Sequence, residues 1–247
     1  MNIVLAHGIL GFGHVFGIPL SYFNGVADHL RQQGHEVIEP SVSTIGSVAA
    51  RGNDLADAIL GHFRAGDDVH VIAHSMGGLD TRYALNHYPQ LARKVKTLVA
   101  IGTPHQGSPV ADAIVNSAHP LAPHIPQFLK EWIGGPNDLT TRACMRFDEI
   151  TPDVNGVRYI DVAGNASMNG DGLLLFKLTK AISELELDGE INDGVVTRKS
   201  ALREGHEHLL DWPVDHAGEI GWDKNSFSLI SSPSSHLARY ESIVAIL

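Results

Sequence analysis

A serine lies at the junction of a strand-like and a helix-like segment of this 247-residue chain. The Val- and Ile-rich run Asp68–Ala73 is followed almost at once by Ser75, and a helical pattern then continues to about Tyr88. This strand–turn–helix setting is typical of a nucleophilic serine, because the tight turn exposes the hydroxyl above a helix N-terminus whose dipole favours an oxyanion. Such a turn requires small neighbours, which Ala73 and Gly77 provide. The pattern predicts nucleophilic catalysis by Ser75 rather than a helix cap.

A serine hydroxyl becomes an effective nucleophile only when a base takes its proton. In a turn of this kind, an acid and then a histidine follow the serine along the chain. Asp193 lies in an Asn-Asp-Gly turn and is the candidate acid. The candidate base is His216, which has the most loop-like setting because Pro213 and Gly218 flank it. Three other histidines that follow Asp193 are also candidates for the base: His206, His208 and His236.

Simpler interpretations are available for the remaining polar residues. His206 and His208 lie in a charged segment and are expected to face solvent, with a His-x-His metal pair left open as an alternative. His236 opens the last predicted helix, where a capping or surface role is expected. His105 is expected to stabilise a Thr-Pro-His-Gln-Gly turn or to line a cleft. Glu219, three residues beyond the candidate base, is an alternative acid.

A His-Gly turn follows the first strand-like run, Asn2–Ala6. In hydrolases with a nucleophile turn, the loop at this place gives one backbone N–H to the oxyanion hole, and the residue after the nucleophile gives the other. The predicted donors are therefore the backbone N–H groups of Ile9 and Met76.

The first two-thirds of the chain alternates between strand-like and helix-like segments, which predicts an α/β fold with a mostly parallel sheet covered by helices on both faces. The predicted strands are Asn2–Ala6, Glu36–Glu39, Asp68–Ala73, Val95–Ile101 and Val157–Val162, with a further strand end within Glu190–Val196. The predicted helices are Leu20–Gln33, Asp54–Phe63, the stretch to Tyr88, Leu173–Leu187 and Ser234–Leu247. We expect a single domain over residues 1–247.

The alternation stops in a proline-rich stretch, and we predict a helical cap or lid over residues 109–145. An apolar stripe in it is expected to cover bound substrate, although an ordinary helical insertion packed on the sheet would carry the same pattern. The stripe consists of Phe128, Leu129, Trp132 and Ile133.

Composition excludes several classes of protein. The net charge of −10 argues against a nucleic-acid partner, and the single cysteine, Cys144, excludes an internal disulfide framework. The apolar runs are far shorter than the roughly 20 residues that a membrane span needs.

The segment Met1–Ala6 lacks the basic region and cleavage site of a signal peptide, so a cytoplasmic location is expected if Met1 is the native start. Oligomeric state is left open.

Five segments together resemble the bacterial triacylglycerol lipases of the Pseudomonas and Burkholderia type, which are α/β-hydrolases. They are LAHGILGF (5–12), AHSMGGLDTRY (73–83), IGTPHQGSPVAD (101–112), VNGVRY (154–159) and INDGVV (191–196). The resemblance implies that Asp193 is the triad acid and His216, 23 residues later, the base. It also implies an α/β-hydrolase fold and hydrolysis of an ester or lipid substrate through an acyl-enzyme. The apolar stripe of the predicted cap is expected to make transient contact with a lipid interface. Readings from other classes are an acyltransferase or thioesterase with the same triad, and a non-catalytic binding module.

The sequence departs from these lipases at the structural calcium site that the resemblance implies. An aspartate and a glutamine of that site fall on Gly218 and Trp222, which offer no side-chain oxygen. Calcium requires 6–8 oxygen ligands, so we expect no metal and no other cofactor. A rebuilt site with Asp215 and Glu219 is the alternative, although their different offsets from the base predict that these side chains point elsewhere.

Overall fold

The computed structural model describes residues 1–9, 21–43, 46–116, 118–120, 122–124, 136–168, 189–222 and 235–247. Six strands in these ranges form one parallel sheet. The strands are β1 (Asn2–Ala6), β2 (Glu36–Ile38), β3 (Val69–His74), β4 (Val95–Ile101), β5 (Arg158–Val162) and β6 (Glu207–His208). Their order is β2-β1-β3-β4-β5-β6, which places β1 and β3 side by side near the middle.

Helices pack on both faces of the sheet. The helices of the described ranges are α1 (Val26–Gln32), α2 (Val48–His62), α3 (Met76–His87), α4 (Pro89–Lys94), α5 (Pro109–Val115), α6 (Thr141–Ile150), α7 (Arg198–Ala201) and α8 (Ser235–Val244). Alternate strand residues point to opposite faces. Ile3 of β1 therefore joins the cluster that contains α1 and α8, whereas Val4 joins the cluster that contains α2, α3 and α4. This two-sided core confirms the predicted α/β architecture.

Most predicted elements form close to their predicted bounds, and the departures have local causes. Val95–Ile101 is a strand over its whole predicted length. Helix α1 begins at Val26 instead of residue 20, because Asn24 and Gly25 adopt φ values of 37° and 81° that no α-helix accepts. Helix α2 begins six residues earlier than predicted, since the Ser47 side chain accepts the N–H of Ala50 and caps it there.

The strand end predicted within Glu190–Val196 is wrong. Asp193 instead closes a turn, in which its side chain accepts the N–H groups of Val195 and Val196, and the only pairing that the described structure shows there is an isolated bridge. The last strand of the described ranges is β6, which pairs with β5.

Several expectations fall outside the described residues. These are the predicted helix at 173–187 and the apolar stripe of Phe128, Leu129, Trp132 and Ile133. The lid and the single-domain assignment therefore stay predictions. Of the helices that are described, none has the length and apolarity that a membrane crossing requires.

The approach of α3 to β1 gives a test of the fold. A Cβ on Gly77 would lie 2.4 Å from the carbonyl oxygen of Ala6 and 2.9 Å from that of His7, both of which are backbone atoms. We expect Gly77→Ala to lower the free energy of unfolding by about 1–3 kcal/mol, the usual cost of overpacking. The matched control is Gly61→Ala in α2, where a Cβ meets no atom within 4 Å, and we expect a gain of roughly 0.5–1 kcal/mol. Urea denaturation measures both, and equal changes would contradict this packing.

Candidate active site

Ser75 connects β3 to α3 in a conformation that non-glycine residues rarely adopt. Its φ and ψ are 56° and −131°. The turn is fixed from both sides, because the Ser75 N–H donates to the Ile101 carbonyl at 2.9 Å and Thr103 Oγ1 donates to the Ser75 carbonyl at 2.9 Å. Strain of this kind persists only where the surroundings enforce it, and it often marks a functional residue.

Asp193 and His216 lie together although 23 residues separate them. His216 Nδ1 is 2.7 Å from Asp193 Oδ2, and the His216 N–H donates to the Asp193 carbonyl at 2.9 Å. The Asp193 side chain is buried, with its second oxygen held by two backbone N–H groups. The carboxylate therefore fixes the imidazole with a proton on Nδ1 and leaves Nε2 with a lone pair that can accept a proton.

Glu219 is a second carboxylate against the same ring. Its Oε2 lies 3.3 Å from His216 Nδ1 and 2.9 Å from His74 Nε2, and its side chain has no solvent exposure. Glu219 lies in the short helical turn Gly218–Ile220, three residues after His216, and this spacing brings the two side chains to the same side of the chain. The sequence offered Glu219 only as an alternative to Asp193, whereas the structure places both carboxylates beside the ring.

These charges control protonation at the site. Burial alone would lower the pKa of His216, but the charges and hydrogen bonds of Asp193 and Glu219 outweigh burial and raise that pKa above its usual 6.5. Burial and the nearby His216 lower the pKa of His74 well below 6.5. His74 is therefore the neutral member of the two rings, whose centroids are 4.5 Å apart.

His74 has a defined hydrogen-bond direction. The Tyr22 hydroxyl lies 2.7 Å from His74 Nδ1, and Glu219 Oε2 lies 2.9 Å from His74 Nε2. Because a carboxylate accepts, the ring proton is on Nε2 and is donated to Glu219, and Nδ1 accepts the hydroxyl proton of Tyr22. One chain of hydrogen bonds thus joins Tyr22, whose hydroxyl oxygen would lie 2.7 Å from a Cβ on Gly8, to the carboxylates beside His216.

The predicted oxyanion donors lie next to the nucleophile turn. A Cβ on Gly8 would be 2.8 Å from the Ser75 Cβ, so the loop after β1 passes directly over the serine. Met76 is the first residue of α3, and its buried side chain and that of Ile9 belong to one apolar cluster. The assignment of Ile9 and Met76 stays a prediction, with both residues at this turn.

The structure contradicts the surface position predicted for His206. Its ring is buried, with Nδ1 2.9 Å from Asp161 Oδ2, and His105 Nε2 is 3.2 Å from Asp161 Oδ1. Sequence reasoning missed the fully buried Asp161, which needs these partners to remain charged. Although burial opposes ionisation, the two histidines lower the pKa of Asp161 below its usual value.

This cluster of His105, Asp161 and His206 has the ligand types of a metal site, but its hydrogen bonds point to an ion-pair network. Arg82 Nη1 faces His105 Nδ1 at 3.4 Å, so Nδ1 accepts and the ring proton on Nε2 is donated to Asp161. His208 is exposed, and its Nε2 contacts the Arg203 carbonyl, so the alternative of a His-x-His metal pair receives no support.

Protein groups hold the loop that carries His216. The Gly218 N–H donates to Asp215 Oδ1 at 2.7 Å, and Trp222 Nε1 donates to the Tyr22 carbonyl at 3.0 Å. A rebuilt calcium site would use Asp215 and Glu219. The Asp215 side chain accepts the Gly218 N–H in this turn, and the Glu219 side chain contacts His74 and His216. His236 also serves this region, since it is buried and its Nε2 lies 2.9 Å from the Asn24 carbonyl.

Comparison with known proteins places the chain among lipases. It is similar to a triacylglycerol lipase of Vibrio cholerae at 30% identity over 88% of this chain and 78% of that protein. A triacylglycerol lipase of Pseudomonas fragi is 27% identical over 88% and 87% of the two chains. The crystal structure of a mature Bacillus licheniformis lipase superimposes with a TM-score of 0.71 at 27% identity, covering 89% of this chain and 86% of that one. Residues 32–121 match the PGAP1-like alpha/beta domain family. These findings confirm the α/β-hydrolase fold predicted from the sequence.

The two carboxylates beside His216 predict an unusual pH dependence. A base must be unprotonated to act, so activity should rise as pH passes the pKa of His216, above 6.5 in the wild type. Glu219→Gln removes one negative charge, and we expect the rise in kcat/KM on a soluble ester to move to lower pH. The control is Glu241→Gln, which breaks a surface pair with His29 and should leave the profile unchanged. Coincident profiles for wild type and Glu219→Gln would contradict this account.

The contacts of the His216 loop predict that chelation has no effect. We expect EDTA to change neither Tm nor activity, because hydrogen bonds and packing hold the loop. By contrast, Trp222→Phe should lower Tm, since it removes the indole donor to Tyr22 while keeping an aromatic ring. Thermal melts with and without EDTA make the comparison. A fall in Tm that added Ca²⁺ reverses would overturn the prediction.

Proposed function

The chain belongs to the triacylglycerol lipase family of α/β-hydrolases and is a carboxylic ester hydrolase, and we propose that Ser75, His216 and Asp193 are its catalytic triad. The observation that carries this assignment is the 2.7 Å contact between His216 Nδ1 and buried Asp193, close to the strained turn at Ser75. His74, the residue before the serine, supports it further, because its Nε2 lies 3.1 Å from the His216 carbonyl.

In the proposed mechanism, Ser75 Oγ attacks the ester carbonyl while His216 Nε2 takes the hydroxyl proton. The tetrahedral oxyanion is stabilised by the N–H groups of Ile9 and Met76. When this intermediate collapses, the alcohol leaves with the proton from His216, and the acyl group stays on Ser75. Water then repeats the sequence and releases the acid. Asp193 keeps the imidazole oriented and stabilises its charged form throughout.

We also propose that the substrates are acylglycerol-type esters. The names of the relatives support this, as does the apolar stripe Phe128, Leu129, Trp132 and Ile133, which we place over the acyl chain and at a lipid interface in the proposed lid. The transferase alternative is not favoured, because the relatives bear lipase names. Hydrolysis of a p-nitrophenyl ester series from acetate to palmitate, and of an emulsified triacylglycerol, tests the proposal. Activity confined to the shortest soluble ester would contradict it.

The triad assignment predicts specific losses of activity. Ser75→Ala and His216→Ala should each lower kcat by a factor of about 10⁴ or more with the fold intact. Asp193→Asn should cost somewhat less, since Glu219 remains 3.3 Å from His216 Nδ1. Ser242→Ala in the exposed part of α8 is the matched serine control and should retain full activity. Circular dichroism checks the fold of each variant, and an active Ser75→Ala would refute the mechanism.

A further inference from the structure

A buried ion pair lies behind the loop that follows β1. Arg51 of α2 and Asp80 of α3 have side chains 0% and 1% exposed, with Nη2 2.7 Å from Oδ2. The same Arg51 Nη2 donates to the carbonyl of His7 at 2.8 Å and to that of Gly8 at 3.2 Å. One guanidinium thus binds a carboxylate and two consecutive carbonyls of the loop over Ser75.

The Gly8 carbonyl has a second donor on the same loop. His7 Nδ1 lies 2.7 Å from it, and His7 Nε2 accepts the N–H of Val42 at 3.2 Å. Because Nε2 accepts, the ring proton is on Nδ1 and is donated to Gly8. Burial lowers the pKa of His7 to about 4, so the ring stays neutral and keeps this pattern at neutral pH.

These contacts determine where the next N–H points. In a trans peptide the C=O and the following N–H point in opposite directions. The Gly8 carbonyl faces Arg51, so the N–H of Ile9 is directed away from Arg51. Gly8 itself lies against the Ser75 side chain, since a Cβ on Gly8 would be 2.8 Å from the Ser75 Cβ.

We propose that Arg51, held by Asp80, is a positioning residue for the oxyanion hole, acting through the Gly8–Ile9 peptide. The inference rests on the proposed function, in which the Ile9 N–H stabilises the oxyanion. Removing the guanidinium fork leaves the hole able to form but no longer held in the orientation that binds the transition state.

The electrostatic cost of the pair argues against a role in stability alone. Burial raises the pKa of Asp80 although Arg51 opposes that rise, and buried ion pairs often add little net stability. Arg82 of α3 is buried as well and pairs with the partly exposed Asp148 at 2.7 Å, and its contacts with Asp148, His105 and Thr151 lie away from the loop after β1.

The test compares an ester with the matching thionoester in Arg51→Lys. Lysine keeps the charge but cannot reproduce the planar fork. The thionoester intermediate carries its charge on sulfur, a weak hydrogen-bond acceptor, and so gains little from the hole. We expect kcat for the ester to fall about 10- to 100-fold, with little change in KM. This fall reaches at most the roughly 100-fold loss that removal of one oxyanion donor usually causes. The thionoester rate should change much less, so the ester-to-thionoester ratio should fall.

Arg82→Lys is the matched control, and it should lower Tm to a similar degree while leaving the ratio unchanged. Asp80→Asn is the second variant, because it keeps the side-chain shape and removes the charge that orients Arg51; its ratio should also fall. Equal losses on the two substrates, or an unchanged ester rate, in Arg51→Lys and Asp80→Asn would overturn the inference. Failure of the proposed function is seen separately, as ester hydrolysis by the wild type that does not depend on Ser75.

Discussion

The site depends on the backbone of Ser75, which is held at φ 56° and ψ −131°. This tight turn requires small residues beside it. Gly77 lets α3 approach the carbonyls of β1, and Gly78 leaves room for Thr103, which would lie 2.2 Å from a Cβ there. Thr103 uses that proximity to hold the Ser75 carbonyl. Small residues at these positions therefore do two things at once: they permit a tight turn, and they let the surrounding elements hold it in place.

The carboxylates buried near the turn are stabilised by the imidazole rings around them instead of by solvent. Glu219 lies between His216 and His74, and Asp161 between His105 and His206, so each buried carboxylate faces two imidazoles. In each group one ring has a pKa raised above the usual 6.5 by the carboxylates beside it: His216 in the first and His206 in the second. Side chains in such networks depend on one another, and changing one member alters the protonation of the others.

How far the sequence predicts this structure depends on the range of the interactions. Local patterns are sufficient to predict β4, the nucleophile turn and the Asn-Asp-Gly turn of Asp193, because residue types close together in sequence identify each of them. The family resemblance adds the pairing of Asp193 with His216. The buried positions of Asp161, His206 and Glu219 could not be predicted in this way, since ionisable side chains are expected at the surface and only partners distant in sequence make their burial tolerable. The role of Arg51 is equally non-local, because it lies 43 residues from the Gly8 carbonyl that it binds.

The position of β1 in the sheet has a consequence for synthesis of the chain. β1 lies between β2 and β3, so it can pair on both sides once β3, which ends at His74, has left the ribosome. The loop over the serine and the nucleophile turn both belong to this early part of the sheet. Asp193 and His216 are added more than a hundred residues later. Under the proposed mechanism, a nascent chain therefore holds the Ser75 hydroxyl without a base until Asp193 and His216 have been added, and the order of translation itself delays the appearance of a reactive nucleophile.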